Sequence, residues 1–191
     1  MYKRQPASFE PTLDYVVTKV ARFPFDKFSD ASNKLGTQMK ATGEVMSIGR
    51  TMEESLLKAM RSLETGVCHI YHKKFDDWTN DRLLEYIAEP TDDRLYAIAQ
   101  LIRGGVDLVL IYNRTKIDMF FLEKFKNIVE FERVVEAAPM DIEVLREAKR
   151  MGFSDKFIGQ LWGVSQHDMY LLREKNGIFP VYKMIDTCAM P

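Results

Sequence analysis

Cysteine is scarce in this chain of 191 residues, with only Cys68 and Cys188, far apart and without the spacing of a metal site. This disfavours a disulfide framework and is typical of a reducing compartment, so we expect a cytoplasmic location. Long apolar runs are also missing, because no stretch approaches the roughly 20 apolar residues of a membrane span. The N-terminus lacks the regions of a signal peptide. The sequence therefore predicts neither export nor a membrane partner.

An excess of charge of one sign is missing as well. The chain carries 27 Lys and Arg against 28 Asp and Glu, for a net charge of −1. Binding to a phosphate backbone needs a strong basic excess, so we do not expect a nucleic-acid partner. Hydrophobic residues make up 46% and charged residues 29%, which is the composition of an ordinary globular protein.

Signatures of chemistry are few. The glycines at 43, 49, 104 and 105 are interpreted as turns and caps, because none belongs to a phosphate-binding loop. His69 and His72 form a weak metal signal, since zinc sites normally supply three or four protein ligands. No Ser, Cys and His spacing suggests a nucleophile with its base, although the fold could still assemble one. We predict no catalytic, cofactor-binding or metal-binding residue in the chain.

The region up to Leu63 has mixed structure. A β-branched run predicts a strand over Leu13 to Phe23, and a second strand fits Gly43 to Gly49. Thr51 is a predicted N-cap of a helix, whose buried face carries Leu56, Leu57, Met60 and Leu63. Two strands are marginal in isolation, so the rest of this domain is expected to lie elsewhere.

From Gly66 the pattern becomes helix after helix. Gly and Pro breaks separate predicted helices near Asp81 to Ala88, Asp92 to Arg103, Lys116 to Ala137, Ile142 to Met151, Asp155 to Trp162 and Gln166 to Lys175. The longest carries an apolar stripe of Ile117, Phe120, Phe121, Phe125, Ile128, Phe131 and Val135. Ser154 and Ser165 are predicted N-caps. We expect His167 to be solvent-exposed and Lys73 to Asp77 to form a solvated loop. The segment from Phe179 is predicted to be extended and to lead out of the bundle. The predicted fold is mainly α: a helical bundle preceded by a small, incomplete α+β piece.

Five collinear motifs carry a family resemblance. Pro6 to Phe28, Thr37 to Glu64 and Phe179 to Ala189 closely resemble the large chain of carbamoyl phosphate synthetase. Between them, Thr115 to Glu132 and Gly152 to Gly163 resemble the oligomerisation domain of that family. The resemblance implies four parts: residues 1–5 a non-native leader, 6–65 the C-terminal part of the carboxyphosphate-forming ATP-grasp domain, 66–178 the helical oligomerisation domain, and 179–191 a linker into the second synthetic half. Residues 190–191 also depart from the family pattern.

The resemblance implies a ligase that makes carbamoyl phosphate from bicarbonate, glutamine-derived ammonia and two ATP, in arginine and pyrimidine synthesis. Its ATP-binding and Mg²⁺- or Mn²⁺-binding residues lie upstream of Pro6 and downstream of Ala189 in the family's order, so this piece alone is expected to be inactive and to bind no cofactor. The implied partners are the remainder of the large chain, the glutaminase small subunit and further copies through the helical domain.

The same resemblance assigns one functional element. The segment that contains Met39, Lys40, Thr42 and Glu44 corresponds to a wall of the interior passage that carries carbamate between the two active sites. Met39, Thr42 and Glu44 would line that wall, with Lys40 nearby. The alternative is that Glu44 only pairs with a cation at a domain boundary.

Two other functions compete with the ligase fragment. The first is a helical, non-catalytic interaction module that exists in its own right, and the second is a stand-alone enzyme of a different class. The ligase fragment and the interaction module both involve association. The helical part is rich in large apolar groups, and some of these should lie on a surface patch. We place Phe131 at the outer edge of the long helix, where it would take part in such a patch. The alternative is that Phe131 belongs to the core.

Overall fold

The computed structural model describes residues 14–28 and 30–185. An antiparallel hairpin comes first, with strands β1 (Val16–Arg22) and β2 (Gly43–Gly49). Helices follow in the order α1 (Met52–Ser62), α2 (Asn80–Tyr86), α3 (Arg94–Arg103), α4 (Leu108–Thr115), α5 (Met119–Ala137), α6 (Ile142–Arg150), α7 (Asp155–Trp162) and α8 (Gln166–Lys175). A 3₁₀ turn, Lys73–Phe75, lies between α1 and α2. The predicted mainly-α fold is confirmed.

The hairpin is amphipathic, and its inner face packs against α1. Val17 pairs with Ile48 in the register, so the alternate residues Thr18 and Ser47 point inward and are buried. Ser55 of α1 donates a hydrogen bond to the carbonyl oxygen of Ser47 at 3.1 Å. The predicted bounds of β2 are confirmed; β1 begins later than predicted, and Leu13 lies outside the described residues.

Helix α1 joins the hairpin to the bundle. Its N-cap is confirmed, because the Thr51 hydroxyl accepts a hydrogen bond from the backbone N–H of Glu54 at 3.2 Å. The four apolar residues predicted for its inner face are all buried. Glu53 is buried too, and its carboxylate accepts a hydrogen bond from the Asn127 side chain at 2.9 Å and lies 3.3 Å from the Lys124 ammonium. These polar contacts tie α1 to α5.

Helix α5 runs through the centre of the bundle and packs against α1, α3, α4, α6 and α7. Its fully buried apolar residues are Leu122, Ile128, Val129 and Val135. Phe120 and Phe121, at the start of the predicted stripe, lie on the surface and not in the core. Phe131 takes the alternative position against the core: its ring is half-buried and meets Phe153 edge-to-face, with 5.7 Å between the centroids.

Two predicted boundaries need correction. Helix α4 was not predicted, and Lys116 ends it in the left-handed region with φ of 57°. The long helix therefore begins at Met119 rather than at Lys116, with the carboxylate of Asp118 accepting from the backbone N–H of Phe120 at 2.8 Å. In the predicted loop around Lys73, Phe75 is fully buried, because the 3₁₀ turn directs its ring into the core.

The C-terminal helices agree with prediction. Ser154 and Ser165 cap α7 and α8 by accepting from the backbone N–H groups of Phe157 and Asp168, each at 3.1 Å. His167 is exposed, as predicted. Residues 179–185 form neither helix nor strand and are exposed. Residues 1–5 and 190–191 lie outside the described part.

Within the described residues, no helix combines the length and the apolar character that a membrane crossing requires.

Candidate association surface and buried polar cluster

Helices α4 and α5 meet at a corner that carries exposed apolar side chains. Phe120 is 52% exposed and Phe121 42% exposed, and the two rings meet edge-to-face at 5.3 Å. We define the α4–α5 face as these two residues together with Val109, Leu110 and Tyr112 of α4. Only Ile111 of α4 is fully buried, so most of the apolar surface of this short helix is not used by the bundle.

Charged residues of both signs border this face. The Lys116 ammonium lies 5.3 Å from the Tyr112 ring centre, and the Lys124 ammonium lies 5.4 Å from that of Phe120. Asp107 and Asp118, the N-caps of α4 and α5, supply a carboxylate at the start of each helix. Aromatic residues surrounded by a polar rim are the usual composition of protein–protein contacts. A rim with both signs also suits a surface that meets a copy of itself.

A second feature is a buried polar cluster that links the loop after α1 to the bundle. His69 is 1% exposed and its Nε2 lies 2.9 Å from Oε1 of Glu132, which is 8% exposed. The Arg103 guanidinium donates to both carboxylate oxygens of Glu132 at 2.7 Å, and to the carbonyl oxygen of Ile70 at 2.9 Å. The His69 ring stacks on Phe157 with 3.7 Å between the centroids. The cluster therefore ties the loop to α3, α5 and α7.

The protonation states of this cluster follow from its geometry. Burial lowers the pKa of His69 below its usual value; the Arg103 and Arg61 cations act in the same direction, and together they outweigh the attraction of Glu132. Burial alone would raise the pKa of Glu132, but the hydrogen bonds from His69 and Arg103 hold it below its usual value. An ionised carboxylate only accepts hydrogen bonds, so Nε2 of a neutral His69 carries the proton. Nδ1 then carries a lone pair.

Two adjoining cavities lie beside this cluster, and both are lined by Tyr71, Phe157 and Gln160. The first, of about 380 Å³, also has Arg103 and Glu132 in its wall. The second, of about 300 Å³, lies along the loop of residues 65–69.

The residues that the family resemblance assigned to a passage lie in the β1–β2 connection and the start of β2. Met39 is 91% exposed. The Lys40 ammonium donates to the carbonyl oxygens of Ser32 and Lys34 at 2.8 and 2.6 Å. None of the four predicted residues lines either cavity.

Thr42 and Glu44 belong to the hairpin itself. The Thr42 backbone N–H donates to the carbonyl oxygen of Arg22 at 3.0 Å, next to the last pair of the ladder. Glu44 forms an ion pair with Lys19 across the strands at 2.8 Å, with both side chains more than half exposed. Glu44 therefore has a cation partner within the hairpin, and its passage role stays a prediction.

His69 and His72 do not converge on a metal. His69 bonds to Glu132, whereas Nδ1 of His72 accepts from the backbone N–H of Lys74 at 3.1 Å. In residues 14–28 and 30–185 no group of three or more His, Cys, Asp or Glu is placed to hold a metal ion.

Sequence reasoning missed Glu132 and Arg103. The only signal of the buried acid in the sequence is a Glu inside an apolar stripe.

The described residues form a mainly α-helical bundle that carries exposed apolar side chains and a buried polar cluster. Residues 44–177 match the family described as the carbamoyl-phosphate synthetase large chain, oligomerisation domain. The match covers most of the chain, so the chain belongs to the carbamoyl-phosphate synthetase large chain family. It begins inside β2 and so crosses the boundary predicted near residue 65, which stays a prediction.

Proposed function

We propose that this chain serves subunit association, with the α4–α5 face as the surface through which two copies meet. The observation that carries the proposal is the exposure of Phe120 and Phe121 in a domain of the type that assembles the large chain. A twofold pairing brings each residue of the face into the interface twice. Two aromatic anchors from each copy then supply four rings to one contact.

We expect the chain to form dimers at micromolar concentration, which corresponds to roughly −8 kcal/mol of association free energy. The double variant Phe120→Glu with Phe121→Glu should weaken the dimer by at least about 100-fold, because buried aromatic anchors each contribute about 2 kcal/mol or more. Sedimentation velocity over a concentration series measures the association, and circular dichroism measures the fold.

Leu171→Glu on α8 is the control, since it places one glutamate at an apolar residue of similar exposure on another helix. It should leave the dimer intact. A folded wild-type chain that stays monomeric at about 100 μM would contradict self-association, because a micromolar contact is saturated there. A dimer that tolerates the Phe double variant but dissociates with Leu171→Glu would place the surface on α8.

We also propose that the chain works as part of a complete carbamoyl-phosphate synthetase large chain. Residues 6–65 would belong to the carboxyphosphate-forming ATP-grasp domain and 179–191 would lead to the second synthetic half. In this proposal the full protein binds ATP with Mg²⁺ or Mn²⁺ and pairs with the glutaminase small subunit, whereas this segment is catalytically inactive. Family membership supports the proposal, because association domains serve the chain that contains them.

The passage role of the segment with Met39, Lys40, Thr42 and Glu44 is part of this proposal. The Lys40 hydrogen bonds support it, because they give the segment a fixed path beside the hairpin. In a complete large chain, Glu44→Ala should lower carbamoyl phosphate output more than bicarbonate-dependent ATP hydrolysis, with Lys19→Ala as control for loss of the ion pair alone. If both activities fall in the same proportion, or if Lys19→Ala has the same effect, the role of Glu44 is structural.

A further inference from the structure

A row of three residues on α5 links the α4–α5 face to α1. Phe120, Lys124 and Asn127 are spaced four and three residues apart, which places them along one side of the helix. The Lys124 ammonium lies 5.4 Å from the centre of the Phe120 ring and 3.3 Å from Oε1 of Glu53 in α1. The Asn127 side chain donates a hydrogen bond to the same oxygen at 2.9 Å. Lys124 therefore contacts both the face and a carboxylate of α1.

The two charges of this pair differ in their access to water. Glu53 is 6% exposed, whereas the side chain of Lys124 is 29% exposed. Burial alone would raise the pKa of Glu53, but the hydrogen bond from Asn127 and the charge of Lys124 hold it below its usual value. The carboxylate is therefore ionised at neutral pH, and Lys124 is the more hydrated member of the pair.

Association through the α4–α5 face changes the surroundings of this pair. Because the ammonium lies beside the Phe120 ring, a second copy that covers the ring also displaces water from Lys124. Removing a charge from water is costly unless a counter-charge stays beside it, and the attraction between two charges increases as water leaves. Glu53 therefore lowers the cost of covering Lys124, and the strengthened pair in turn holds α1 more firmly against α5.

We propose that Lys124 couples the α4–α5 face to α1, so that the pairing of two copies strengthens the Lys124–Glu53 contact and stabilises α1 and the hairpin on the bundle. Such coupling is reciprocal, so Glu53 strengthens association although it does not belong to the face. The hairpin follows α1, because Ser55 of α1 donates a hydrogen bond to the carbonyl oxygen of Ser47 in β2. This coupling rests on the proposed function of the face, and it makes the hairpin end of the chain respond to the assembly state.

Hydrogen exchange of the 191-residue chain tests the coupling first. Amide exchange is compared at concentrations well below and well above the dimer Kd that sedimentation measures. Dimer formation stabilises the whole fold, so the protection that α1 gains beyond that of α8 is the quantity of interest. We expect this additional protection to be at least about fivefold, the lower end of typical coupling between two sites. In the dimer of Lys124→Met, which lacks the cation, it should be absent.

A double-mutant cycle on the dimer Kd tests it a second time. Glu53→Gln keeps the shape of the side chain and an oxygen for Asn127, but removes the charge. It should weaken the dimer at least about fivefold, and in the Lys124→Met background the same change should alter the Kd by less than about twofold. Glu130→Gln is the matched control, because Glu130 pairs with another lysine of α5, Lys126, at 3.5 Å. It should leave the Kd unchanged.

The outcomes separate this coupling from the proposed function of the face. A wild-type chain that stays monomeric overturns both. A dimer in which α1 gains no more protection than α8 overturns the coupling alone, and so does a Glu53→Gln variant that weakens association equally with and without Lys124. Circular dichroism checks the fold of each variant. If Glu53→Gln does not fold, the exchange of the wild-type and Lys124→Met dimers decides.

Discussion

Replacing Glu132 by alanine is expected to destabilise the chain by about 3–5 kcal/mol, the usual effect of removing one partner of a buried ion pair. The Arg103 guanidinium donates to both Glu132 oxygens, so its charge would lose its counterion while it remains mostly buried. His69 would lose the acceptor of its Nε2 proton in a site that is 1% exposed. Urea unfolding followed by circular dichroism measures the change in free energy of unfolding.

Glu136→Ala is the matched control, because Glu136 lies one turn further along α5, lines the same cavity and is exposed. It should change the free energy of unfolding by no more than about 0.5 kcal/mol. Glu132→Gln keeps the shape of the side chain but removes the charge, so its effect should fall between those of the two alanine variants. Equal stability of Glu132→Ala and Glu136→Ala would show that the cluster does not stabilise the loop.

The sequence predicted the elements whose signals are local. Thr51, Ser154 and Ser165 each act as the predicted N-cap, because the hydroxyl and the N–H it bonds lie only three residues apart. Helix α4 was missed although Asp107 caps it, with its carboxylate accepting from the Val109 N–H at 2.9 Å. A single apolar run of this length does not distinguish a short helix from a strand.

The candidate sites depended on contacts that are distant in sequence. Glu132 meets His69 from 63 residues away, and no periodicity connects the two positions. The expectation that some large apolar groups lie on the surface is confirmed for Phe120 and Phe121. Phe131 instead takes the alternative position against the core, because Phe153 from a later turn packs edge-to-face on its ring.

Gly152→Ala is the second change with a large expected effect. Gly152 is buried in the turn between α6 and α7 and has φ of +91°, a conformation that costs a residue with a Cβ about 1–2 kcal/mol. A Cβ there would also lie 3.0 Å from the Cα of Glu54 in α1, and backbone atoms cannot turn away as a flexible side chain can. The steric conflict should add about 1–3 kcal/mol, typical of overpacking.

Gly163→Ala separates these two causes. Gly163 also has positive φ, at +68°, but no heavy atom lies within 4 Å of the Cβ position. It should therefore show only the conformational cost of about 1–2 kcal/mol, and the difference between the two variants measures the contact of the turn with α1.

The carbonyl oxygen of Gly152 accepts a hydrogen bond from Arg61 of α1, so a turn displaced by the new Cβ should loosen this bond as well. Hydrogen exchange should then become faster in α1 of Gly152→Ala and stay unchanged there in Gly163→Ala. Equal losses of stability in the two variants would mean that the turn moves away from α1 without cost, and that the hairpin and α1 are held to the bundle mainly by the Glu53 contacts with α5.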